Sequence, residues 1–196
     1  MFIRALNYLK QRSLVISFLV FSLIPLFYLA NSFYVRQVEQ KQIGNITQQE
    51  RGFPVRLRIP AINVNTTIQR VGINSRGEME VPGNVVDVGW FKLGSIPGER
   101  GSAVIDGHFD GGDGKAGVFI NLYKLKPGDK LYVEDSRGKT TVFIVRESKT
   151  FDPGLADGVF SRNDGTYLNL ITCDGVWDGV KKSYNKRLVV FADVVD

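Results

Sequence analysis

The sequence predicts an all-β domain carried behind one membrane-spanning helix. Three observations carry that reading. Ser13 to Val35 is an uncharged, largely apolar run of 23 residues. After residue 52, eight short runs rich in Val, Ile, Phe, Tyr and Thr alternate with Gly, Pro, Asn and Asp turn chemistry. No segment of that region sustains a helical period for long, although Val118–Lys124 could form one or two turns.

The N-terminal run comes first. A helix needs roughly 20 apolar residues to cross a bilayer core, and Ser13–Val35 supplies them, with Leu14–Ala30 the densest part. Pro25 is tolerated in such a helix. Tyr28, Phe33 and Tyr34 suit an aromatic belt at the far interface. Arg4, Lys10 and Arg12 precede the run, so residues 1–12 are expected in the cytoplasm and the C-terminal body outside. A cleaved signal peptide would carry a shorter apolar region and a small-x-small site, which Ala30-Asn31-Ser32 matches poorly. Residues 36–51, polar and rich in Gln, read as a linker.

The net charge of +5 sits mostly in this extension. Residues 1–51 hold six Lys/Arg against two acids; residues 52–196 hold 19 against 18. A nucleic-acid reader would carry its basic face on the folded body, so that class is disfavoured. One Cys and one His exclude an internal disulfide framework and leave little for zinc to hold.

The body, residues 52–196, reads as eight strands: Val55–Ile59, Asn63–Gln69, Val85–Phe91, Ser102–Asp106, Lys130–Glu134, Thr140–Glu147, Thr166–Thr172 and Lys186–Val194. Eight short strands in one domain fit a sandwich or a closed barrel. Pro60 ends the first strand, and Lys126-Pro127-Gly128-Asp129 turns into the fifth.

Cys173 follows the apolar strand Leu168–Thr172 and precedes Asp174-Gly175, at the border between strand and polar loop. A lone Cys is either a small buried hydrophobe or a nucleophile. An unpaired thiol outside the cytoplasm risks oxidation, which keeps the second possibility open. A thiol needs a proton partner or a cationic neighbour to react well. The one His, His108, ends the strand Ala103–Asp106 and begins the loop His108-Phe109-Asp110-Gly111-Gly112-Asp113-Gly114. It stands 65 residues before Cys173, so only the fold could join them. Arg187, 14 residues after Cys173, opens the last strand and would lie near the thiol if the two strands pair. Singly, each also reads as an ordinary loop His or solvated Arg.

Together these residues resemble the sortase family. The matches are Leu170-Ile171-Thr172-Cys173, Gly107-His108 after an apolar strand, Arg187 at the last strand, and the order His, Cys, Arg. LRIPAINVNTTI, GEMEVPGNVVDVGWF and GVFINLYKLKPGD agree, and resemble the class E and F branches more than A or B. Asn169 stands where the family signature usually has Thr, with a packing effect expected. The resemblance implies a closed eight-stranded β-barrel with short helices. It implies a cysteine transpeptidase in which Cys173 attacks an LPxTG-like sorting signal, His108 is general acid and Arg187 stabilises the oxyanion or positions the substrate. The acyl group then passes to an amine on a cell-wall precursor or pilin. Thr172 and Trp177 are the expected substrate contacts. No cofactor and no metal are expected, although some relatives bind calcium and Asp110, Asp113 and Asp152 are acidic loop residues. Competing readings are a thiol hydrolase or protease using the same site, and a non-catalytic anchored β-domain. A cell-wall L,D-transpeptidase lacks its Ser/His-Gly-Cys context here.

Overall fold

The computed structural model describes residues 27–41, 52–111, 115–154 and 158–195. The chain divides into two units, Met1–Arg51 and Gly52–Asp196. In the first, residues 27–41 form an exposed helix, so the expected linker is helical as far as Lys41. Most of the apolar run Ser13–Val35 lies outside the described residues, and among the described ones no helix is long and apolar enough to cross a membrane.

The second unit is a closed barrel of eight strands. They are β1 (Pro54–Ile59), β2 (Val64–Val71), β3 (Val88–Phe91), β4 (Gly101–Gly107), β5 (Lys130–Asp135), β6 (Thr140–Phe151), β7 (Thr166–Asp178) and β8 (Ser183–Val194). Around the wall the order is β1, β2, β3, β4, β7, β8, β6, β5, and β5 pairs back onto β1. Of the two folds the strand count allowed, the molecule adopts the barrel, which leaves no free sheet edge. Two pairings are parallel, β2 with β3 and β4 with β7. The second places two strands distant in sequence side by side.

Period-two alternation decides what fills the barrel. Leu57, Ile59, Ile105, Leu131, Phe143, Leu168, Leu170 and Val190 point inward with Phe119 and Leu122, and all are fully buried. A second cluster lies on the outer face. Val104, Val189, Ile171 and Phe191 pack there against Val159, from the segment between β6 and β7, and against Met79, from the segment between β2 and β3. Strand β4 is therefore covered on both sides, which is why it reads as a continuous apolar run.

Several boundaries differ from expectation. The third strand starts at Val88, not Val85, because the Asn84 carboxamide oxygen accepts from the Val86 and Asp87 N–H groups and turns the chain. Val118–Lys124 yields only the 3-10 turn Leu122–Lys124. The polar stretch after Cys173 is not a loop from its first residue. β7 runs on to Asp178 and β8 begins at Ser183, forming a ribbon with a register shift between Asp174 and Trp177. Gly175 takes φ +83 in that shift, a conformation glycine adopts without penalty. Asp178 closes the turn by accepting from the Val180 and Lys181 N–H groups. Cys173 and Arg187 are thus interior to their strands, and the outer half of the hairpin projects past them.

Candidate active site

Strand register brings the three residues together. β4 and β7 pair in parallel, with Asp106 opposite Ile171. Continuing that register one pleat past Gly107 sets His108 level with Cys173. The Thr172 hydroxyl donates to the Gly107 carbonyl at 2.7 Å and pins the two strands there. On the other side of β7, Cys173 pairs directly with Arg187. Strands lie about 4.8 Å apart, so His108, Cys173 and Arg187 form a transverse row over three adjacent strands. The alternation puts Cys173 and Arg187 on the outer face with Ile171 and Val189, away from the barrel core.

Each side chain is held by its surroundings. Nε2 of His108 lies 3.0 Å from the Pro82 carbonyl, which can only accept, so Nε2 donates the hydrogen of that bond. The loop after His108 folds back over it. Phe119 N–H donates to the His108 carbonyl at 2.9 Å, and Gly117 N–H donates to the Phe109 carbonyl at 2.9 Å. A Cβ at Gly117 would stand 2.2 Å from the His108 carbonyl oxygen, so that return path admits only glycine. The Arg187 guanidinium donates through Nη1 to the Tyr184 and Lys186 carbonyls, at 2.9 and 2.8 Å, and through Nη2 to Ser183 Oγ at 3.1 Å. Cys173 is free and half-buried. Burial pushes its thiol pKa up, Arg187 pulls it down, and Asp106 and Asp110 push it up further.

Asp106, one pleat behind the row, is the site residue that sequence reasoning missed. Its signal was available: an acid in an otherwise apolar strand, two residues before the one His. Burial pushes its carboxyl up to about 6, against the pull of His108, Arg187 and the Gly107 N–H. Below about pH 4 this acid is protonated whether the chain is folded or not, so it costs nothing. Between there and about pH 6 the folded chain holds a proton that the unfolded chain has released, and stability falls as pH rises. Above that window the cost is constant. Asp106→Asn is therefore expected to stabilise the protein by on the order of 1–3 kcal/mol at pH 8 and to lose that advantage by pH 4. Thermal melts across that range measure it, and a pH-independent difference would remove the assignment.

Thr172, expected as a substrate contact, is buried and faces inward, and its hydroxyl is spent on the Gly107 carbonyl. Trp177 stands in the ribbon beyond Cys173, half exposed, edge-on to Tyr184 at 5.3 Å. Asn169 is buried and donates to the Val159 carbonyl at 2.6 Å, the packing role expected of it, and this anchors the segment between β6 and β7. Among the described residues no three His, Cys, Asp or Glu side chains gather as a metal site; Asp113 lies outside them. Asp110 accepts from the Tyr184 hydroxyl, and Asp152 pairs with Lys186 at 2.6 Å.

The sortase-domain family model matches residues 57–195, essentially the whole barrel. The chain belongs to the sortase family. It is a sortase-type cysteine transpeptidase. Solved sortases share its fold. Sortase C-1 of Actinomyces oris is 30% identical with a TM-score of 0.56, covering 73% of this chain and 75% of that one. Sortase C of Clostridium perfringens SM101 is 25% identical with a TM-score of 0.54, covering 74% and 71%. Sortase C1 of Streptococcus agalactiae, in complex with MTSET, is 26% identical with a TM-score of 0.55, covering 72% and 67%. No curated protein matches the sequence.

Proposed function

We propose that this sortase cleaves an LPxTG-like sorting signal at Cys173 and transfers the acyl product to an amine on a cell-wall precursor or pilin. The row His108, Cys173, Arg187 on the outer face of β4, β7 and β8 carries the reading. The Cys173 thiolate attacks the scissile carbonyl carbon. The C–N bond breaks, its electron pair goes to nitrogen, and His108 in its imidazolium form supplies the proton to the leaving amine. Arg187 faces the oxygen on which charge develops. The acceptor amine then attacks the thioester, gives a proton to His108, and expels the Cys173 thiolate.

The partly exposed Ile171 and Met79, on the apolar outer face behind Cys173, suit the aliphatic part of such a signal. Trp177 forms an outer wall. The run Ser13–Val35 anchors the chain as a single membrane span, residues 1–12 stay cytoplasmic, residues 36–51 link, and residues 52–196 work outside the cytoplasmic membrane. The class E or F branch remains part of the proposal, on the sequence segments that suggested it.

The full chain incubated with an LPxTG-type peptide and a glycine amine is expected to yield the amine-capped product, read by mass spectrometry. Free acid alone would make the enzyme a thiol hydrolase. Intact peptide across a library of such signals would end the substrate assignment.

A further inference from the structure

We propose that Tyr184 is a positioning residue that braces the two sides of the site, with Asp110 as its partner. The inference rests on the assignment of Cys173, His108 and Arg187 above. Tyr184 contacts Arg187 and the residues that flank the rest of the row. Its hydroxyl donates to the Asp110 carboxylate, two residues after His108. Its own carbonyl accepts from Arg187 Nη1 at 2.9 Å. Its ring meets Phe109, the residue next to His108, edge-on at 5.5 Å, and Trp177 edge-on at 5.3 Å. Proximity to the Asp110 carboxylate pushes the Tyr184 hydroxyl up to about 12, so it remains a donor at any working pH.

The ribbon needs such a brace. Beyond the shift at Gly175, β7 and β8 leave the barrel wall and pair only with each other, through Trp177 with Tyr184 and Asp178 with Ser183. A two-stranded ribbon is marginal alone in water. The loop after His108 closes at its base through the Asp110–Ala116 bridge and the bonds from Gly111 N–H to the Lys115 carbonyl and from Gly117 N–H to the Phe109 carbonyl. The Tyr184–Asp110 bond ties this loop to the ribbon across the row. Arg187 takes its orientation from the ribbon, through Tyr184, Lys186 and Ser183. Loosening the ribbon therefore moves the guanidinium relative to the thiol, and a misplacement near 1 Å can cost about a hundredfold in rate.

The test uses the full chain, an LPxTG-type peptide and single-turnover acylation of Cys173 followed by mass spectrometry. Tyr184→Phe keeps the ring contacts and removes the donor. Asp110→Ala removes the acceptor. Each is expected to lower the acylation rate about tenfold with KM changed less than twofold and the melting temperature within a degree or two of the parent. The double variant is expected to be no slower than either single one, because both remove the same bond. Asp110→Asn, which still accepts, is expected to recover most of the rate. Parental acylation in Tyr184→Phe, or additive losses in the double variant, would overturn the proposal. A Cys173→Ala control separates the two ideas: an acyl adduct surviving in that variant defeats the site assignment, whereas its loss beside a neutral Tyr184→Phe defeats only the brace.

Discussion

Replacing Cys173 with alanine is expected to abolish the acyl adduct and to lower kcat/KM by at least about 10⁴, as losing a covalent nucleophile does in other acyl-transfer enzymes. The expectation follows from the row. Cys173 is the one thiol in the chain. It sits half-buried between a strand carrying His108 and a strand carrying Arg187. No other side chain in the row can form a thioester. The fold should survive, because Cys173 lies on the outer face and is absent from the barrel core. Intact-mass spectra with peptide, together with a melting curve, decide it. Turnover persisting in a well-folded Cys173→Ala chain would leave the sortase barrel without its assigned nucleophile.

The second large effect concerns the two partners. His108→Ala and Arg187→Ala are each expected to reduce kcat/KM by about 10²–10³, the usual loss for a general acid or an oxyanion donor. Their effects on the thiol differ, and that difference is measurable without substrate. Burial holds the Cys173 thiol above its ordinary range, and Arg187 is the residue that pulls it down. Removing Arg187 moves the thiol pKa further up, so alkylation of Cys173 by iodoacetamide at pH 8 should slow, with the whole rate-against-pH curve displaced to higher pH. Asp106→Asn removes a charge that pushes the thiol up and should displace the curve the other way. An Arg187→Ala curve lying on that of the parent would place the guanidinium outside the thiol's electrostatic reach.

Particular residues show how far the sequence reached. The β-rich runs were legible because period-two alternation and turn residues act locally: Leu57 and Ile59 bury, Pro60 ends the strand, and Lys126–Asp129 turns as composition requires. Eight strands followed, with boundaries off by a few residues where side chains intervened, as Asn84 does before β3. Cys173, His108 and Arg187 stood out as the single thiol, the single imidazole and a basic residue at the last strand. Thr172 was singled out beside Cys173, and adjacency in a strand puts its side chain on the opposite face.

The sequence by itself determined the strand content, the apolar N-terminal run and the candidate reactive groups, since each depends on residue type and short-range spacing. The tertiary structure alone decided that the sheet closes and that β4 lies parallel beside β7. That pairing spans 65 residues, and no local pattern encodes which distant strands will share a ladder. It places His108 level with Cys173, raises Asp106 by desolvating it beside them, and sets Tyr184 between the loop and the ribbon. Chemistry in this molecule was written in residue types, and proximity was supplied by long-range strand pairing.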